Sequence, residues 1–87
     1  VIQVHTTGKF LDAAARLPKR QQAKLGDLLV LLQQNPFDSK LHTKQLRGVL
    51  TGFYSFRITR DWRVIFEFAD PATIQLLRVA HRKDIYR

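Results

Sequence analysis

Gly52-Phe53-Tyr54-Ser55-Phe56-Arg57-Ile58-Thr59-Arg60-Asp61-Trp62-Arg63-Val64-Ile65-Phe66-Glu67-Phe68 is the stretch that decides the fold. It holds two strand-like runs, Phe53–Thr59 and Trp62–Ala69, rich in β-branched and aromatic residues. The register between them can be tested by side-chain alternation, because residues directly opposite one another share a face. A two-residue loop at Arg60-Asp61 sets Arg57 against Val64 and Ile58 against Arg63, so neither face is clean. A three-residue loop, Thr59-Arg60-Asp61, pairs Ile58 with Trp62 and Phe56 with Val64, and Phe66 and Phe68 continue one apolar face. That register is expected, and it puts Arg57 directly across from Arg63 on the other face. Like charges opposite each other cost a sheet a few tenths of a kcal/mol to about 1 kcal/mol. The placement makes sense if a bound anion neutralises them; the alternative is that both reach into solvent or pair with Glu67 or Asp61.

Outward from this hairpin, a third run, Thr73–Ala80, follows the turn signal Asp70-Pro71. Short turns imply antiparallel neighbours. Its face is ambiguous, because Leu76-Leu77 interrupts the alternation, and Arg78 reads as structural. Toward the N-terminus, Val1–Thr6 reads as a short strand with Ile2 and Val4 inward. Thr7 is a suitable N-cap for a helix through Leu17, with Phe10, Leu11, Ala14 and Leu17 at helical spacing. Pro18 breaks it, and a second helix from about Lys19 to Gln34 carries Leu25, Leu28, Leu29 and Leu32 as its core stripe. Asn35-Pro36 ends it, and Phe37–Gly52 reads as a loop. The expected fold is α+β in a single domain spanning 1–87. An N-terminal strand, a two-helix hairpin and a three-strand antiparallel meander form a four-stranded sheet, with helices on one face and the other face open.

Charge is the next informative feature. The 87 residues carry fifteen Lys and Arg against seven Asp and Glu, a formal net charge of +8. Residues 44–87 hold nine of the basic residues, seven of them arginine. Arginine suits phosphate because its planar fork donates two parallel hydrogen bonds and keeps its charge. Nucleic acid, the ribosome, an anionic membrane surface or an acidic protein are the partners such a surplus attracts. There is no cysteine, which excludes disulfides and thiolate catalysis. No run approaches the ~20 apolar residues of a membrane span, and no signal peptide is visible, so no membrane role and a cytoplasmic location are expected.

The three histidines, His5, His42 and His81, are scattered, no carboxylate cluster joins them, and no glycine-rich phosphate loop is present. No metal and no cofactor are therefore expected. The remaining reactive groups are cationic donors, histidine and tyrosine. They suit RNA cleavage in which the neighbouring 2′-hydroxyl attacks phosphorus. Arg57 and Arg63 could hold the phosphate, His81 has a pKa range suited to acid or base work, and Tyr86 could donate a proton or stack on a base. Trp62 falls on the apolar face and reads as core.

At this point the chain resembles the RelE/ParE toxin superfamily. The likeness covers nearly the whole chain in element order. It is densest over Leu46-Arg47-Gly48, Leu50-Thr51-Gly52, Phe53–Arg63 and the ending His81-Arg82-Lys83-Asp84-Ile85-Tyr86-Arg87. Gly52–Thr59 followed by Trp62–Phe66 is similar to the YoeB and RelE branches; Asp61-Trp62 and His81 are similar to the YafQ branch. The resemblance implies a microbial-RNase-like fold and ribosome-dependent, metal-free cleavage of mRNA that leaves a cyclic phosphate. It also implies a cognate antitoxin that silences the toxin. Position by position, it implies catalytic roles for Arg63, Arg57, Arg82, Tyr86 and His81, with Lys44 standing where YoeB-like members carry a glutamate base. A lysine serves as base only if burial or neighbouring cations depress its pKa; otherwise His81 takes that part. Ser55 stands where RelE-like members carry a basic residue. Arg47, Arg60, Lys83 and Arg87 complete the expected RNA-binding surface. Two other readings stay open: a gyrase-inhibiting toxin of the ParE kind without chemistry of its own, and a non-enzymatic basic module that binds nucleic acid. A degenerate toxin kept for its antitoxin contact is a third.

Overall fold

A computed structural model describes residues 1–86. The order is β1 (Gln3–Thr6), α1 (Gly8–Ala15), α2 (Lys19–Gln34), β2 (Lys44–Gln45), β3 (Tyr54–Arg57), β4 (Trp62–Asp70) and β5 (Thr73–His81). Short 3-10 turns lie at Ser39–Leu41, Gly48–Leu50 and Arg82–Asp84. The sheet runs β1-β5-β4-β3-β2, with β1 parallel to β5 and every other neighbour antiparallel. The architecture is the expected α+β arrangement, with one strand more than the four read from the sequence. The extra strand, Lys44–Gln45, pairs with Ser55 and Tyr54 inside what reads as loop.

The helices form as their sequences dictate. The Thr7 hydroxyl accepts from the Phe10 N–H at 3.2 Å, capping α1, and lies 3.1 Å from the Leu76 carbonyl, which ties the helix to β5. The helix α1 stops at Ala15, two residues short of the expected Leu17. The Gln22 side chain then donates to the carbonyls of Ala15 and Leu17 at 3.1 and 2.8 Å, satisfying acceptors that a helix end leaves free. On α2, Leu25, Leu28 and Leu32 recur on one stripe and are buried. They meet Phe56, Ile58, Val64, Phe66, Ile74 and Leu76 from the sheet in the main core.

The expected hairpin register is the observed one. Phe56 pairs with Val64 and Arg57 with Arg63, and the Ile58 N–H donates to the Trp62 carbonyl at 2.9 Å. Between β4 and β5 the register slips: Ile65 faces Arg78, yet Phe66 faces Leu76. Leu77 is the extra residue of a β-bulge, and this explains the broken alternation at Leu76-Leu77. The bulge keeps Leu76 in the main core and turns Leu77 to the opposite face, where it packs on a second, small cluster of Leu46, Ile65, Ala80 and Ile85. The face expected to be open is thus partly covered by this cluster, over which the C-terminal turn lies.

Candidate active site

Arg57 ends β3 and Arg63 is the second residue of β4, so the register fixes them side by side on the face away from the helices. Each guanidinium has its Nε buried and without a hydrogen-bond partner among the described residues. Such a donor costs ~1–3 kcal/mol when left unmade. Arg63 Nη2 donates to the Arg60 carbonyl at 3.2 Å, which aims the side chain. Burial lowers the Arg63 pKa from its usual range, the positive charges of Arg57 and Arg82 lower it further, and Asp61 opposes them. An arginine so displaced still carries its charge at any working pH. Burial and two neighbouring cations thus act on a charge that Asp61 alone opposes.

Beside this pair lies a cleft of about 410 Å³ lined by Lys44, Leu46, Ser55, Arg63, Arg82, Lys83, Ile85 and Tyr86. Ser55, 1% exposed, is on its floor. The short strand β2 pairs Lys44 with Ser55 and so brings Lys44 to the same face as the arginines. The opposite wall is the C-terminal turn, and four contacts hold it. The Arg82 N–H donates to the Asp61 carbonyl at 2.8 Å, and Arg82 Nε lies 3.3 Å from Asp61 Oδ1. Arg78, placed on this face by the Leu77 bulge, donates from Nη2 to the Ile85 carbonyl at 2.9 Å. The Tyr86 hydroxyl accepts from the Arg47 N–H at 3.2 Å, joining the turn to the loop that closes with positive φ at Gly48 and Gly52.

Of the sequence-derived candidates, Arg63, Arg82, Tyr86, Lys44 and Lys83 converge on the cleft, with Arg57 adjoining Arg63. Arg60 is exposed in the hairpin loop and contributes its carbonyl; Arg47 is exposed and contributes its N–H. Lys44 is exposed, so burial is not what would make it a base. His81 does not line the cleft. It pairs with Trp62, on the face opposite Arg63, and its ring stands nearly perpendicular to the indole at 5.2 Å. Its Nδ1 accepts from the Lys83 N–H at 3.2 Å. Arg87 lies outside the described residues. Sequence reasoning passed over Asp61 as a positioning group and Ser55 as floor; it read Arg78 as structural without giving it a face or a partner. The signal for Arg78 was the Leu76-Leu77 interruption itself. Among the described residues no three His, Cys, Asp or Glu side chains come together as metal ligands, and no helix is long and apolar enough to cross a membrane.

Comparison with known proteins places this geometry. Among curated protein sequences none matches the chain significantly. Solved structures share the fold. The RelBE2 toxin–antitoxin complex of Mycobacterium tuberculosis matches at 28% identity and TM-score 0.77, over 93% of this chain and 98% of that one. The archaeal RelE–RelB complex of Pyrococcus horikoshii matches at 24% identity and TM-score 0.79, over 95% and 97%. YafQ of Escherichia coli matches at 19% identity and TM-score 0.78, over the full length of both chains. The profile of the ParE toxin of type II toxin–antitoxin systems matches residues 5–86. The chain therefore belongs to the ParE toxin family of type II toxin–antitoxin systems and has the fold of the RelE, YoeB and YafQ toxins.

Proposed function

We propose that this toxin is a metal-independent endoribonuclease that cuts mRNA on the ribosome and is held inactive by a cognate antitoxin. The observation that carries the reading is the pair of unpartnered guanidinium Nε donors of Arg57 and Arg63 beside a cleft with cationic walls. An anion that accepts from both removes an unmet desolvation cost and a like-charge repulsion together.

A scissile phosphate is the anion whose chemistry uses the rest of the cleft. Arg63 and Arg57 hold its non-bridging oxygens and stabilise the charge that builds as the 2′-hydroxyl attacks, the kind of preorganised electrostatic help worth several kcal/mol. Arg82 and Lys83 hold the flanking backbone. Tyr86 accepts from the Arg47 N–H, so its own proton is free for the leaving 5′-oxygen. The 2′-hydroxyl proton passes to water, and Lys44, on the wall formed by β2, adds a further cation on the face of the arginines. The products are a cyclic phosphate and a 5′-hydroxyl. The cleft offers charge but few neutral donors for reading bases, which suits a substrate presented by the ribosome. The antitoxin expectation has support in the relatives, several of which were solved as toxin–antitoxin complexes.

Purified toxin added to translating ribosomes tests the reading. It predicts cleaved mRNA with cyclic-phosphate ends, undiminished when the toxin is stripped of metal by chelator and dialysed before it is added, and absent on naked RNA. Intact mRNA together with inhibited DNA gyrase would replace it with the gyrase-directed reading, and salt-sensitive RNA binding without fragments would reduce it to a binding module.

A further inference from the structure

We propose that His81 is a positioning residue, one that sets the C-terminal turn of the cleft from the far side of the sheet through the backbone of Lys83. The role in RNA cleavage rests on the nuclease reading above; the role in fixing the turn does not. His81 reaches its place because of the Leu77 bulge. Uninterrupted alternation from Ile74 and Leu76 would carry His81 to the face of Arg63. The extra residue reverses the parity, so that Arg63 pairs with Ala80 and His81 pairs with Trp62.

The imidazole is then fixed by two contacts. Its ring stands against the indole of Trp62, which packs on the main core. Its Nδ1 accepts from the Lys83 N–H at 3.2 Å and caps the 3-10 turn Arg82–Asp84. A backbone N–H has no other role than donor, so Nδ1 must be the unprotonated nitrogen and the ring proton sits on Nε2. The turn it caps carries Arg82 and Lys83, then Ile85 and Tyr86, which together make one wall of the cleft. Losing the cap frees the Lys83 backbone while Asp61 still holds Arg82 and Arg78 still holds Ile85.

Two substitutions separate this role from proton transfer. His81→Asn places Oδ1 on Cγ, where Nδ1 was, and restores an acceptor for the Lys83 N–H. His81→Leu keeps bulk against Trp62 and removes the acceptor. Nitrogen-15 spectra of the free toxin should show His81 with its proton on Nε2. In His81→Leu the Lys83 amide should exchange about tenfold faster, the factor one lost cap carries, and in His81→Asn it should stay within about twofold of wild type. On ribosomes, kcat should fall about tenfold in His81→Leu with KM little changed, and recover in His81→Asn. Unchanged Lys83 protection in His81→Leu would overturn the proposal, as would a His81→Asn variant that protects Lys83 yet cleaves no better than His81→Leu. Should wild type itself not cleave RNA, the nuclease reading falls and the exchange data alone decide the role of His81 in the turn.

Discussion

Arg63→Met should make this protein more stable while abolishing its activity. The methionine keeps an unbranched stem against the sheet and removes three costs. The first is the buried Nε without a partner, ~1–3 kcal/mol for such a donor. The second is repulsion from Arg57 directly opposite, a few tenths of a kcal/mol to about 1 kcal/mol for a like-charged cross-strand pair. The third is the positive charge of Arg82, which acts on Arg63 in the same direction. Against these stand the Nη2 hydrogen bond to the Arg60 carbonyl, worth ~0.5–1.5 kcal/mol, and the attraction of Asp61. The balance favours the variant by about 1 kcal/mol, which raises the melting temperature of a domain this size by ~4–8 °C. Thermal unfolding of both proteins at low ionic strength, without and with sulfate, measures it. Sulfate should stabilise the wild type and narrow the gap, because a ligand of the native site adds stability by mass action. Arg63 stays protonated throughout, so the gap should not change between pH 6 and 8, a range set by the always-charged guanidinium. A variant less stable than wild type, with sulfate affecting both alike, would refute the argument that these arginines are held in an unmet state.

Three further outcomes follow from the contacts around the cleft. Asp61→Asn loses an exposed ion pair to Arg82 and should cost stability under ~1 kcal/mol; cleavage should drop several-fold, read as kcat on programmed ribosomes. Arg78→Met releases the Ile85 carbonyl and should speed amide exchange across the C-terminal turn while leaving β4 protected. Deleting Leu77 removes the extra residue of the bulge and leaves Leu76 across from Phe66 and Arg78 across from Ile65, so both keep their faces, and the cost is the packing of Leu77 on the second cluster, at most about 1.5–3 kcal/mol. Circular dichroism should then show cooperative unfolding at a lower melting temperature, close to that of Leu77→Ala.

How much of this was legible in the sequence depends on where alternation is strict. From Tyr54 to Phe68 every second residue is apolar apart from the hairpin loop, so the register and the Arg57–Arg63 pair followed from the residues alone. The same rule failed on β5, because a bulge inserts one residue and reverses the face of everything beyond it. That single insertion explains why Arg78 could not be assigned a face and why His81, expected beside the arginines, stands against Trp62. Lys44–Gln45 is too short for any periodicity, and its strand exists because Phe53 closes back on Leu46 through a 2.9 Å backbone hydrogen bond. Lys44 thus reaches the cleft by pairing rather than by pattern. The second cluster around Ile65 was hidden for a related reason: its members, Leu46, Ile65, Ala80 and Ile85, come from four separate segments.

The most direct measurement maps mRNA ends after brief expression of the toxin and of Arg63→Met at matched protein levels. Wild type should generate new 5′-hydroxyl ends within translated regions, and these should vanish when initiation is blocked. The variant, folded and at least as stable, should produce none. Identical ends in both proteins, or none in either while growth still stops in the wild type alone, would contradict the claim that this cationic cleft cuts RNA.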